Sequence, residues 1–339
     1  PDVPIWLGGP EVSFDAAKVL GELPEATGVM KGEGEETFAQ LAGYYVDKLC
    51  KKGTDSGKIL PDGQAGLENI PGLAFRLPDG SLADTGVRRA MDMSRIPFPY
   101  KHMDIKDLEH RIIYYESSRG CPFSCSYCLS SIDKTVRFRS LDLVLPELQF
   151  FLDHKVPQVK FVDRTFNCKR DHTLGIWRYL VEHDNGITNF HFEVSADIFD
   201  EEELELIGKM RPGLIQLEIG VQSTNPDTIK EIHRHMDLVK LKQAVDRVYD
   251  YRNTHQHLDL IAGLPYENYE SFMRSFDDVY RMRPDQLQMG FLKVLKGSYM
   301  EEQVAAYDLK YRGIPPYEVL STKWLPYSDV IRLKGVEDM

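Results

Sequence analysis

The sequence predicts an α/β protein in which a partial six-unit (β/α) barrel is preceded by the C-terminal part of a doubly wound α/β domain. Three observations lead there. From Ile112 onward, short apolar runs alternate with amphipathic segments of helical period. That alternation occupies roughly 180 residues, whereas a closed eight-unit barrel takes roughly 250, so about six units fit. In residues 1–50, two apolar runs each end on a glycine turn and lead into a helical pattern.

At the start of the chain, Pro4–Leu7 reads as a strand and Gly8-Gly9-Pro10 as its turn. Asp15–Leu23 then reads as a helix behind a Ser13 cap. The pattern repeats with Gly28–Met30, the turn Gly32-Glu33-Gly34, and a helix over Glu36–Cys50 whose apolar face carries Phe38, Leu41, Tyr45 and Leu49. Two such units do not cover both faces of a sheet, so residues 1–50 are expected to close a domain that begins upstream of Pro1.

Residues 51–110 read as a hairpin and linker. Leu73–Arg76 and Ser81–Ala83 flank the Pro78-Asp79-Gly80 turn, and Ile96–Tyr100 is a proline-stiffened extended stretch. The barrel is placed at residues 111–300. Its strands are Ile112–Glu116, Gln158–Val162, Asn189–Val194, Leu214–Ile219, His257–Ala262 and Gln286–Leu292. Helices between them include Ser140–Asp153, Glu201–Lys209, Leu238–Tyr251 and Tyr269–Arg281. Residues 301–339 form a C-terminal extension that ends mid-pattern, with a helix over Glu302–Tyr311, an extended stretch over Glu318–Leu325 and a helix from Ser328.

Composition limits the function. The 339 residues carry a net charge of -12, which argues against nucleic acid as a partner, because that binding relies on Lys and Arg neutralising phosphates. No apolar run approaches the ~18 residues of a membrane span. Pro1-Asp2-Val3-Pro4 lacks the pattern of a signal peptide, and five cysteines, an odd number, suit a reducing compartment; a cytoplasmic protein is expected.

Cys121, Cys125 and Cys128 fall within eight residues, directly after the Ile112 strand. Three thiolates are then expected at one point. A tetrahedral zinc would want a fourth thiolate or imidazole at matching spacing, and none follows nearby. An iron-sulfur cube held by three thiolates instead keeps one iron open to a ligand. A zinc or disulfide knot is the structural alternative. Cys168 is isolated and reads as packing, and His233 and His235 read as solvated helix-end residues.

The spacing Cys-x-x-x-Cys-x-x-Cys, with Tyr127 before the last cysteine, resembles the cluster loop of the radical S-adenosylmethionine superfamily. The resemblance implies a [4Fe-4S] cluster on Cys121, Cys125 and Cys128, with S-adenosylmethionine (SAM) chelated at the open iron and cleaved to a 5'-deoxyadenosyl radical. Asp163-Arg164-Thr165-Phe166-Asn167 resembles the Asp-x-x-Phe-Asn segment of the cobalamin-associated branch, which makes Asp163 a candidate for holding the methionyl amine. Glu193, Gly220-Val221-Gln222-Ser223, Arg234 and Asp259–Pro265 resemble, in order, the branch that includes the oxygen-independent coproporphyrinogen dehydrogenases. That implies Glu193 and Gln222 on the ribose hydroxyls, Arg234 on the carboxylate, and Asp259, Ser223 and Tyr127 in the same cofactor set. The turns at Gly8, Gly9, Gly32 and Gly34 resemble the closing part of a cobalamin-binding domain.

The implied function is cobalamin-dependent methylation of an unactivated carbon in a small-molecule or peptide substrate, with a flavodoxin or ferredoxin as reducing partner and no membrane. Radical oxidation, rearrangement or ring closure would use the same motifs. An electron-transfer iron-sulfur protein is the reading from a different class.

Overall fold

The computed structural model describes residues 3–52, 66–103, 111–132 and 134–337. The chain divides into two compact units, Pro1–Asp92 and Met93–Met339.

The first unit opens with β1 (Trp6–Gly8), α1 (Pro10–Ser13), α2 (Ala16–Glu22), β2 (Gly28–Met30) and α3 (Glu35–Lys52). β3 (Leu73–Arg76) and β4 (Leu82–Asp84) follow. β1 and β2 pair in parallel, and the hairpin β3–β4 adds antiparallel to β2, so the segment read as a connector completes a four-stranded sheet. Both sheet faces are covered. Val19 and Leu20 of α2 pack with Val29 and Ala74 on one face, while Leu41 of α3 packs with Leu73 and Phe75 on the other. The alternation of Leu73, Ala74 and Phe75 follows from the two-residue period of a strand.

Two local expectations fail here. Phe38 is 61% exposed, so the buried face of α3 begins with Thr37 and its apolar part with Leu41. Ser13 caps no helix, because its hydroxyl donates back to Gly9 O at 2.7 Å. Leu49 and Cys50 carry side chains outside the described set.

In the second unit, β5 (Ile112–Tyr115) is followed by a small ribbon, β6 (Ser118–Arg119) with β7 (Arg137–Phe138), then α4 (Leu141–Asp153) and β8 (Gln158–Phe161). The repeat continues with α5 (Arg170–Glu182), β9 (Asn189–Val194), α6 (Glu201–Gly208) and β10 (Ile215–Gln222). It ends with α7 (Pro226–Glu231), α8 (Leu238–Tyr251), β11 (His255–Ala262), α9 (Tyr269–Tyr280) and β12 (Gln286–Phe291). The six strands form one parallel sheet in the order β5-β8-β9-β10-β11-β12, each joined to the next by a helical crossover, with β5 and β12 as edges. This is the open six-unit barrel expected.

Polarity follows the pleat. β10 alternates strictly between buried and half-buried positions, with Ile215, Leu217, Ile219 and Val221 in the core and Gln216, Glu218, Gly220 and Gln222 on the other face. Helix starts are secured by side-chain caps: Asp200 and Glu203 form a reciprocal capping box on α6, and Asn268 accepts from Ser271 N on α9.

Ile96–Tyr100 is not a free linker. Phe98 packs edge-on against Tyr115, Phe150 and Phe151, and Pro99–His102 forms a short 3-10 turn. The tail departs further from expectation. α10 spans only Tyr299–Glu302, and Lys310–Tyr311 forms a strand, β13, paired antiparallel with β14 (Val319–Ser321). Asp308 has φ 46°, a left-handed conformation that a continuous helix over Glu302–Tyr311 cannot contain. α11 (Tyr327–Glu337) closes the described chain. Among the described residues, no helix is long and apolar enough to cross a membrane.

Candidate functional site

The cysteine loop leaves the end of β5 and is held at its root by the β6–β7 ribbon. Gly120 makes the turn with φ 94°, and a Cβ there would fall 2.6 Å from Thr135 O, so both conformation and space require glycine. The loop is then tied down by its backbone: Ser126 N donates to Ile232 O at 2.9 Å, and Met300 N donates to Ser126 O at 2.9 Å.

The segment after β8 acts as a clamp across three strand ends. Asp163 is 1% exposed and accepts from Ser117 N at 2.8 Å and from the Ser117 and Ser118 hydroxyls at 2.6 Å each. Asn167 accepts from Ser195 N and donates to Ser195 O, both at 2.9 Å, securing the end of β9. Between them Phe166 is fully buried against Phe161, Trp177 and Phe192. Asp163, the candidate for holding the methionyl amine, has its oxygens turned toward the serines and does not line the cavity below. Burial pushes the Asp163 carboxyl up to about 6, against the lowering effect of the serine donors.

At the strand C-termini lies a cavity of about 210 Å³ lined by Cys121, Cys125, Tyr127, Cys128, Glu193, Gln222, Arg234 and Asp259. Eight of the residues expected at the site therefore share one chamber. Among the described residues, no group of three or more His, Cys, Asp or Glu is arranged to hold a single metal ion. All three thiols of the loop line the same chamber.

Gln222 sits at a bulge in β10 with φ 71°, and its Oε1 is buried without a hydrogen-bond partner. A buried unpaired amide oxygen on a cavity wall is an acceptor awaiting a donor. Arg234 follows α7 after the left-handed residue His233, φ 55°. Its Nη2 donates to Gly220 O, its Nη1 lies 3.3 Å from Tyr127 Oη and 3.7 Å from Cys125 Sγ, and its Nε is buried and unpaired. Burial pushes the Tyr127 phenol well up, so it stays protonated.

The cavity is lined by further acids. Burial raises Glu193 to about 7, with Glu218 adding to the shift and Arg164 and Lys160 opposing it. Asp259 is also raised by burial, opposed by His257, whose Nε2 lies 3.1 Å from Asp259 Oδ1. Glu218 goes the other way, to about 2, because His191 and Lys160 each approach its Oε2 at 2.9 Å despite its burial.

Ser223, expected in the cofactor set, does not line the cavity: after the left-handed Gln222 (φ 71°) it is fully buried and donates to Glu267 Oε1 at 2.7 Å. In the first unit Gly8 ends β1 and Gly9 follows it, while Gly32 and Gly34 follow β2; Gly9 (φ 102°) and Gly32 (φ 72°) need positive φ. Cys168 is half-buried with its thiol raised to about 11, first by burial, and His233 and His235 are exposed.

Sequence reasoning assigned no role at the site to Thr165, Glu218 or Arg164. Thr165 Oγ1 lies 3.5 Å from Cys121 Sγ, and Arg164 lines the cavity. Thr165 could have been found from its place in the Asp163–Asn167 segment; Glu218 is signalled only by the polar positions of β10.

A six-stranded partial barrel carrying a three-cysteine loop and polar strand ends around one chamber defines an iron-sulfur enzyme domain. Residues 115–279 match the Radical SAM superfamily, so the chain carries a radical SAM domain, which works with a [4Fe-4S] cluster and SAM. Residues 305–339 match a further family, described as a protein of unknown function (DUF4080).

The chain is 23% identical over 84% of its length to the anaerobic magnesium-protoporphyrin IX monomethyl ester cyclase of Rubrivivax gelatinosus, spanning 49% of that protein. It is 25% identical over 80% of its length to the cobalamin-dependent radical SAM methyltransferase TokK of Streptomyces tokunonensis, spanning 40% of it. The chain therefore spans about half or less of these two relatives. In fold it resembles the radical SAM methyltransferase TsrM of Kitasatospora setae, solved with cobalamin and a [4Fe-4S] cluster. The TM-score is 0.72 at 15% identity, covering 99% of this chain and 73% of that one.

Proposed function

We propose that this protein is a cobalamin-dependent radical SAM methyltransferase acting on an unactivated carbon, with Cys121, Cys125 and Cys128 holding the cluster. The observation that carries the radical SAM site is the chamber that joins the three thiols to Glu193, Gln222, Arg234 and Asp259. When bound, the cluster delivers the electron that splits the SAM sulfonium into methionine and a 5'-deoxyadenosyl radical.

The chain's own groups hold and orient that cofactor. A vicinal diol needs acceptors, and Gln222 Oε1 is buried and unpaired on the wall. Near pH 7 Glu193 is shared between its acid and carboxylate forms, so it can donate as well as accept. Arg234 Nε supplies a donor to a carboxylate oxygen. A low-potential flavodoxin or ferredoxin supplies the electron.

Methyl transfer from cobalamin is supported by the likeness to TokK and by the glycine turns at Gly8-Gly9 and Gly32–Gly34, which follow two parallel strands where backbone can approach a bulky ligand. The test is cobalt content. Full-length protein reconstituted with hydroxocobalamin is expected to retain stoichiometric cobalt after gel filtration. A cobalt-free protein with an intact cluster would remove methyl transfer and leave radical oxidation or ring closure, which the likeness to the cyclase favours.

A further inference from the structure

Arg234 is expected, by resemblance, to clamp the SAM carboxylate, yet its guanidinium is already committed elsewhere. Bidentate recognition of a carboxylate uses two parallel N–H donors of the fork. Here Nη2 donates to Gly220 O, and Nη1 is directed at Tyr127 Oη (3.3 Å) and Cys125 Sγ (3.7 Å). Only Nε is left unpaired.

From this geometry, and on the reading that Cys125 is a cluster ligand, we infer that Arg234 is a positioning residue that sets the reduction potential of the cluster by donating a charged hydrogen bond to the Cys125 sulfur. Reduction adds one electron and one negative charge to the cluster and its thiolates. A cationic N–H donor on a ligand sulfur stabilises that reduced state more than the oxidised one, so it raises the potential. The effect is strong here because Cys125 is only 8% exposed and water screens little. Tyr127 and Gly220 hold the guanidinium in place: the phenol on one side and the β10 carbonyl on the other leave it one orientation. Arginine suits this task because a single planar fork reaches all three partners, which a lysine ammonium does not.

The test is a reductive titration of the anaerobically reconstituted protein, followed by electron paramagnetic resonance with no SAM present. Arg234→Gln is expected to retain iron and to show a midpoint potential below that of the wild type. Should Arg234→Gln lose iron, Arg234→Lys decides, since its single ammonium cannot serve Cys125, Tyr127 and Gly220 together and its potential is likewise expected to fall. Tyr127→Phe, which keeps the charged Arg234 donor but removes the neutral phenol that also hydrogen-bonds Cys125, is expected to lower the potential by less than Arg234→Gln. An iron-replete Arg234 variant with an unchanged potential overturns the inference alone. Wild-type protein that holds no iron overturns the site reading and this inference together.

Discussion

The carboxamide of Gln222 folds back over Gly220 so closely that a Cβ at position 220 would fall 2.3 Å from Gln222 Nε2. Gly220 is thus the floor on which the Gln222 side chain rests. Gly220→Ala is expected to displace that amide while leaving the barrel intact, because the clashing atom is the end of a flexible side chain. A lost hydrogen bond to a neutral group is worth on the order of 1 kcal/mol, or roughly fivefold in affinity. SAM affinity measured by calorimetry should therefore fall by roughly that factor in Gly220→Ala and in Gln222→Ala. Wild-type affinity in both variants would take Gln222 out of the cofactor site.

The three cavity cysteines should differ sharply from the fourth described cysteine. Replacing Cys121, Cys125 or Cys128 with Ala leaves two thiols on the chamber, so iron content and broad visible absorption should be lost. Cys168→Ala should retain both, since that thiol does not line the chamber. Iron assays on the four variants decide it; full iron in each of the three would break the cluster assignment.

Asn167 holds the end of β9 through two hydrogen bonds to Ser195 backbone in a buried setting. Asn167→Ala leaves the buried Ser195 N–H without its partner, at about 1–3 kcal/mol, while Ser195 O keeps a second donor, Ile198 N at 3.4 Å. Denaturant unfolding should show a loss of that order. A change under about 0.5 kcal/mol, the range of a neutral surface substitution, would refute the clamp.

Glu267 is 1% exposed, and burial raises its carboxyl to about 7 against the donors Ser223 and Ser275. The folded state therefore binds this proton more tightly than the unfolded state, where a glutamate titrates near 4.3. The associated stability is fully present below that value and is lost as pH rises through about 7. Glu267→Gln keeps the acceptor without the charge, so its melting temperature relative to wild type should climb between pH 5 and pH 8. A pH-independent difference would show that Glu267 does not ionise in that window.

Much of the barrel was legible because a strand packed under helices must be apolar on that face. Asn189–Val194 and Leu238–Tyr251 coincide with the structure, and the other barrel strands and named helices agree closely. The chamber residues were legible because strand C-termini carry the chemistry in such sheets. What was hidden depends on contacts far apart in sequence. Asp163 looked like a free carboxylate, because the serines that claim it lie 45 and 46 residues earlier. Ser223 follows the strand pattern, and only the positive φ at Gln222 turns it away. Glu302–Tyr311 has helical composition, but Tyr311 pairs with Val319 across a hairpin that no local propensity reveals.

The central claim is that the cysteine chamber binds a cluster that cleaves SAM. Anaerobic wild-type protein incubated with SAM and dithionite is expected to yield 5'-deoxyadenosine and methionine by mass spectrometry, and Cys125→Ala is expected to yield neither. An iron-replete wild type that leaves SAM uncleaved under these conditions would contradict the account.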